Sequence, residues 1–249
     1  MALTVHQFRC LSDNYGFLVR DEASGKVATI DTPDAGAILA ELAKLGWSLD
    51  LILNTHWHPD HAGGNETLKT ATGATIVGPA EVTRIAPLDR VVRDGEEVML
   101  GDTRLTVIDT GGHTLGHVSY YDAEDAIAFV GDTLFALGCG RLFEGTAEQM
   151  WDSLGRLIAL PDETTVYCAH EYTASNARFA LSVDSSAALA ARAEAVFAAR
   201  ARDEATVPTT IGVEKATNPF LRAPLLRPDA PSPAQAFAEI RAAKDSFKG

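Results

Sequence analysis

A chain of 249 residues with 34 acidic and 21 basic side chains carries a net charge of −13, which disfavours nonspecific binding to nucleic acid or to an anionic membrane. Its length and apolar content suit one large domain, or one domain with a smaller appendage. The first residues lack the basic start and apolar run of an export signal, and no window of about 18 apolar residues could cross a bilayer. A soluble, cytoplasmic protein acting on small molecules is therefore expected, with a monomer as the simplest state. Cys10, Cys139 and Cys168 show no CxxC spacing, which suits a reducing compartment and a packing role.

Short β-branched and apolar runs predict strands at 3–8, 15–19, 27–30, 49–53, 75–77, 105–108, 118–121, 126–130 and 165–168. Helical patterns fall between some of them, at 35–45, 62–70 and 147–160, the last opened by Thr146 with Gln149 three residues on, a capping-box arrangement. Turn signals at Gly95 and Gly101-Asp102 imply hairpins, so a wholly parallel sheet is excluded and two sheets flanked by helices fit better. After His170 the texture changes. Residues 174–204 are rich in Ala, Arg and Glu with helical spacing, a proline-rich stretch follows, and a last helix is expected at 233–247. From position 206 onward six basic residues face four acidic ones, the opposite of the chain as a whole. The boundary is placed at 170/171, with residues 171–249 as a small, mainly helical domain.

The chemistry concentrates in Thr55-His56-Trp57-His58-Pro59-Asp60-His61. Imidazole nitrogen and carboxylate oxygen are ligands of zinc and similar divalent ions, and an ordinary loop gains nothing from such crowding. In an extended segment His56, His58 and Asp60 project to one side, whereas His61 needs a turn, which Pro59 favours as a first helical residue. Four ligands so close together seldom fit one tetrahedral ion. His56 and His58 are therefore expected to serve one metal, Asp60 and His61 a neighbouring one. His113 in Gly-Gly-His-Thr, Asp132 in Val-Gly-Asp-Thr and His170 in Ala-His-Glu-Tyr each follow a predicted strand and complete the candidate set. His6 reads as strand packing or surface and His117 as a strand start or ligand support. At Asp31 a hydrogen bond to a ligand and a simple turn are both open.

These segments, THWHPDH, GGHT, VGDT and AHEY, resemble the metallo-β-lactamase superfamily. LSDNYGFLV, HAGGN, GDTLFALGCGRLFEGT, CAHEYT, NPFLR and RAAKDSF resemble more narrowly the glyoxalase II (hydroxyacylglutathione hydrolase) family, along the whole chain. The resemblance implies an αββα sandwich over residues 1–170 and a helical glutathione-binding domain over 171–249. It implies one metal held by His56, His58 and His113, a second by Asp60, His61 and His170, and Asp132 bridging both. Zinc is the expected metal, with iron or manganese also suited to these donors. The implied reaction is hydrolysis of S-(2-hydroxyacyl)glutathione thioesters, in methylglyoxal detoxification, by a metal-bridged hydroxide between Asp60 and Asp132. Arg141, Phe143, Tyr172, Arg241 and Lys244 fall on the family's glutathione-contact positions. Phe143 stands where many relatives carry tyrosine, and Arg141 where lysine is common, so a hydrogen bond to the peptide is lost or replaced. A mononuclear, persulfide dioxygenase-like iron enzyme and a noncatalytic metal-binding module are the alternative readings.

Overall fold

The computed structural model describes residues 3–249. Its first sheet opens on an antiparallel hairpin, β1 (Leu3–Cys10) and β2 (Asn14–Asp21), in unbroken register from Leu3 opposite Asp21 to Cys10 opposite Asn14. β3 (Val27–Ile30) lies antiparallel to β2, and β4 (Leu51–Leu53), β5 (Thr75–Gly78) and β6 (Arg90–Val91) then add in parallel. Parallel neighbours require crossovers. These carry α1 (Ala35–Leu45), α2 (Pro59–Ala62) and α3 (Asn65–Thr72). Ile38, Leu42 and Leu68 from two of the helices bury against Leu18, Val27, Ile52 and Ile76 of the sheet, and this transfer of apolar surface from water is what holds the layer together. Asp34 caps α1 by accepting the Ala37 N–H, and Gly46 ends it in the left-handed conformation.

The second sheet contains an antiparallel run of β7 (Glu97–Leu100), β8 (Thr103–Asp109), β9 (Val118–Asp122) and β10 (Ile127–Gly131). Phe17 on β2 meets Phe129 on β10 with ring centroids 5.9 Å apart, and the Tyr120 hydroxyl on β9 donates to the Asn54 carbonyl past β4 at 2.7 Å. The two sheets thus face each other across a shared core, as the sequence led one to expect. By packing, one compact unit runs to Asp109 and resumes over Gly116–Gly131, and the other comprises Thr110–Leu115 and Asp132–Gly249.

The second unit is mainly helical. It contains β11 (Leu134–Phe135), β12 (Gly138–Cys139), α4 (Ala147–Ile158), β13 (Thr165–Cys168), α5 (Thr173–Val183), α6 (Ala187–Ala201), β14 (Thr209–Thr210), α7 (Ile211–Thr217), α8 (Ala223–Leu226) and α9 (Pro233–Ser246). Leu137, Ala177, Ala180, Leu189 and Ala193 form a buried cluster in which small side chains let α5 and α6 approach closely. Glu214 on α7 is fully buried, and its carboxylate accepts from Leu137 N, Thr209 Oγ1 and Asn218 Nδ2 and pairs with Arg192. Four partners offset the cost of burying that charge. Among the described residues no helix is long and apolar enough to cross a membrane.

Three local expectations are corrected. The helix expected at 62–70 is two helices: the Gly64 N–H leaves the helical ladder to donate to the Thr32 carbonyl at 3.2 Å, an approach only glycine allows, and the chain re-enters helix at Asn65. Gly95 marks no hairpin: β6 belongs to the first sheet and β7 to the second, so the glycine lies in the crossover between them. The capping box at Thr146 forms only in half. Thr146 Oγ1 accepts the Gln149 N–H at 3.2 Å, but the Gln149 amide donates to Leu115 O.

The Gly101-Asp102 hairpin does form, with Gly101 at φ +60° and no room for a Cβ against Asp21 and Ser24. Burial alone would raise the Asp21 pKa, but hydrogen bonds from the Ser24 hydroxyl, the Asp102 and Ser24 amides and the Thr103 hydroxyl outweigh it and bring it down to about 2. A depressed carboxylate stabilises the fold above its unfolded pKa and loses that contribution as pH falls through the folded one. Asp21→Asn is expected to lower the urea midpoint at pH 7, with the gap to the parent protein closing as pH falls from about 4 to about 2; a gap that is constant with pH contradicts the assignment.

Candidate metal centre

In the first unit, the chain leaves β4 through Asn54 and Thr55 and presents His56 and His58 on extended backbone, after which Pro59 starts α2 and carries Asp60 and His61 on a helical turn. Asp60 is therefore positioned by a helix, not by strand alternation. Asp31, at the end of β3 with φ +59°, organises this segment. Its carboxylate accepts the Thr55 N–H at 2.7 Å, the Thr55 hydroxyl at 2.8 Å and His61 Nδ1 at 2.8 Å. Of the two readings open at Asp31, the ligand-supporting hydrogen bond is the one realised.

This network sets the tautomers. Since a carboxylate only accepts, His61 Nδ1 carries the proton and Nε2 carries the lone pair, which faces Asp60 Oδ2 at 3.5 Å. Thr55 spends its proton on Asp31, so its oxygen accepts from His56 Nδ1 at 3.0 Å, and His56 Nε2 likewise presents a lone pair, 3.0 Å from His58 Nδ1. The His56 and His61 rings lie 4.0 Å apart, and His117 stacks on His56 at 4.9 Å. His117 both directly precedes β9 and stacks on His56, so neither of its two readings is excluded, while His6 pairs with Glu41. Asn14 Nδ2 donates to Asp60 Oδ2 at 3.1 Å. Asn14 and Thr55 were not singled out in the sequence, although the first sits in the Ser-Asp-Asn turn and the second opens the histidine motif.

In the second unit, Asp132 lies with one oxygen 3.3 Å from His113 Nε2 and the other 3.3 Å from His170 Nε2. His113 Nδ1 donates to the Arg141 carbonyl at 2.8 Å, so its Nε2 also directs a lone pair at a carboxylate oxygen. Gly140 leaves room for this, because a Cβ there would strike the Asp132 carbonyl. His170 is held by aromatic packing, its ring parallel to Tyr172 at 4.7 Å and met edge-on by Phe135.

Lone pairs aimed at carboxylates repel unless a positive charge intervenes. All seven residues belong to His and Asp groupings able to hold a metal ion, and nitrogen and oxygen donors of this kind suit a divalent transition metal. The chain therefore has the donors for divalent metal binding.

Arg141, Phe143, Tyr172, Arg241 and Lys244 all line one 330 Å³ cavity of the second unit together with His113 and Asp132. Arg241 is buried, donating through Nη1 to the Cys139 carbonyl at 3.1 Å and lying over Phe220 at 4.9 Å. Lys244 donates to Ser175 Oγ and O; desolvation, then the charges of Arg241 and Arg178, push it down to about 8. Phe143 is 60% exposed, packs on His113 at 5.2 Å and lies under the Arg141 guanidinium at 5.9 Å. At this position the chain offers the cavity an apolar wall. Burial pushes Cys139 up to about 11 and Cys10 and Cys168 up to about 12, so all three thiols stay protonated at neutral pH, in keeping with a packing role.

Residues 18–170 match the model of the metallo-β-lactamase superfamily, and residues 171–247 that of the hydroxyacylglutathione hydrolase C-terminus. The chain is 54% identical to a hydroxyacylglutathione hydrolase of Erythrobacter litoralis, covering 98% of this chain and 100% of the relative, and 57% identical to one of Maricaulis maris, covering 98% and 99%. Among solved structures, ETHE1 from Myxococcus xanthus is 28% identical with a TM-score of 0.70 over 96% of this chain and 90% of that one. TTHA1623 in a di-iron-bound form is 26% identical with a TM-score of 0.64 over 88% and 100%.

Because Asp31 fixes two imidazole tautomers, Asp31→Asn is expected to weaken metal retention by about 10- to 100-fold without unfolding the sheet. Metal content after dialysis against graded chelator, read by elemental analysis beside circular dichroism, measures this; undiminished retention contradicts it.

Proposed function

The chain belongs to the metallo-β-lactamase superfamily and, within it, to the hydroxyacylglutathione hydrolase family, and on that premise we propose that it hydrolyses S-(2-hydroxyacyl)glutathione thioesters, with S-D-lactoylglutathione giving D-lactate and glutathione. The observation that carries this reading is that candidate metal ligands and three cations line one cavity. A substrate whose reacting acyl carbon and anionic peptide are parts of one molecule requires that combination. Residues 1–170 supply the ligands, Arg141 and Phe143, and residues 171–249 supply Tyr172, Arg241 and Lys244.

In this reading His56, His58 and His113 hold one divalent ion, Asp60, His61 and His170 a second, and Asp132 is shared. Zinc is the first choice, and iron or manganese suits the same donors. A binuclear site is supported by the seven donors and by the likeness to a protein solved with two irons. When bound, such ions polarise a carbonyl and lower the pKa of water from 15.7 to about 7. Asp60, steadied by Asn14, orients the attacking water, and Asp132 keeps His113 and His170 directed at the same point. The leaving thiol has a pKa near that of cysteine, about 8.5, so the chain needs no dedicated acid to protonate it. Arg241 and Lys244 take the peptide carboxylate, with Arg141 closing over it and Phe143 packing along the chain of the substrate. The enzyme acts in the cytoplasm on a diffusible substrate, in methylglyoxal detoxification. A mononuclear iron reading leaves the second donor set and the matched C-terminal segment without a role.

Hydrolysis of S-D-lactoylglutathione by metal-loaded protein tests the proposal directly. Asp132→Ala is expected to abolish turnover together with metal retention. Arg241→Ala is expected to raise KM about tenfold or more, as loss of a charge-assisted hydrogen bond implies, with a smaller change in kcat. Wild-type protein that holds metal and leaves the thioester intact refutes the reading.

A second expectation concerns pH. Lys244 is a cation below about 8 and neutral above it, so KM for the anionic substrate should rise as pH climbs through that value, and Lys244→Met should remove the inflection. A KM flat from pH 6.5 to 9 in the parent enzyme contradicts a substrate-binding Lys244 that titrates near 8.

A further inference from the structure

The last turn of α9 places a carboxylate among the cations of the cavity. Asp245 Oδ1 accepts Arg241 Nη2 at 2.9 Å and lies 3.7 Å from Arg141 Nε, although Arg141 comes from the loop after β12, more than a hundred residues away in sequence. An exposed ion pair at i, i+4 contributes little, but Arg241 is only 7% exposed, and its Nε is buried with no hydrogen-bond partner. A buried guanidinium without a counter-ion is costly. Asp245 supplies that counter-ion, with its side chain 42% exposed.

We propose that Asp245 is a positioning residue for the substrate: one carboxylate oxygen, hydrogen-bonded to Arg241 and 3.7 Å from the more exposed Arg141, fixes the first guanidinium and draws the second toward it on the wall of the cavity beside Lys244. The inference rests on the thioester reading above and goes beyond it, since Asp245 touches no substrate atom and acts through its neighbours. Arg241 is then anchored at three points, by the Cys139 carbonyl, the Phe220 ring and Asp245. Arg141 is drawn toward the same place, and both donors are oriented before the peptide arrives. Preorganisation of this kind lowers the entropy cost of binding.

Asp245 has a second effect, on charge. The groups facing Lys244 are Arg241 and Asp245 on its own helix, Arg178 on α5 and Arg141 on the loop, with Ser175, Phe179 and Phe247 in contact. Three of the four charges disfavour the ammonium and only Asp245 favours it. Removing that charge while keeping the side-chain shape should make Lys244 release its proton at lower pH.

The test compares Asp245→Asn and Asp245→Glu with the zinc-loaded parent enzyme. Asp245→Asn is expected to move the KM inflection toward acid by about half a pH unit or more, so that KM above pH 8 rises about threefold while kcat stays within about twofold. Asp245→Glu should keep the inflection near that of the parent, and KM at pH 7 should rise because the carboxylate has moved by one methylene. Nuclear magnetic resonance titration of lysine-labelled protein without substrate reads the Lys244 amine itself. An unmoved Lys244 titration in Asp245→Asn overturns the proposal. Should that variant fail to fold, Asp245→Glu decides alone: a KM equal to that of the parent overturns it. Failure of the parent enzyme to cleave the thioester would sink the proposed function instead, and the titration tells the two failures apart.

Discussion

The Asp31 carboxylate is the interaction on which the first half of the candidate centre depends. It sits at a positive φ at the end of β3 and takes three hydrogen bonds, from the Thr55 backbone, the Thr55 hydroxyl and His61. Each bond has a chemical consequence. The backbone bond ties the histidine segment to the end of the sheet, the bond to His61 leaves the lone pair on its Nε2, and the hydroxyl bond passes the same instruction to His56 through Thr55. An imidazole can offer a metal only one of its nitrogens, and here a buried acceptor decides which.

The second unit reaches a similar result by other means. The carbonyl of Arg141 fixes the His113 tautomer, and Tyr172 and Phe135 fix the plane of His170 by packing. Loop glycines make this possible. A side chain at Gly131 would collide with His117 and Thr55, and one at Gly140 with Asp132 and His113. The residues around the ligands are thus constrained as tightly as the ligands, by excluded volume on one side and hydrogen-bond direction on the other.

The substrate side is governed by the cost of gathering cations. Arg141, Arg241 and Lys244 share one cavity, and the carboxylate of Asp245 lies against both arginines. The strain of that arrangement is visible in Lys244, whose pKa is pushed down by burial and by its arginine neighbours. On the proposed reading a bound carboxylate would relieve that repulsion, giving an anionic peptide an advantage over a neutral one of the same shape. Phe143 offers the same pocket an apolar surface, so contact there depends on shape rather than on a hydrogen bond.

Much of this was legible in the linear sequence. Strand and helix positions followed from side-chain periodicity, because burial on one face imposes a period of two or 3.6. The candidate metal donors stood out by the density of His and Asp in short motifs, which packing alone does not produce. Folding in three dimensions decided the rest. That Asp60 rides on a helical turn, that Gly63-Gly64 splits one expected helix into two, and that Gly95 lies in a crossover all depend on neighbours distant in the chain. So do the tautomers of His61 and His113, set by acceptors 30 and 28 residues away, and that of His56, which Asp31 sets through Thr55. Composition and spacing select which chemical groups are present. Hydrogen-bond direction, excluded volume and charge proximity are properties of atoms brought together from remote positions, and these only the tertiary structure supplies.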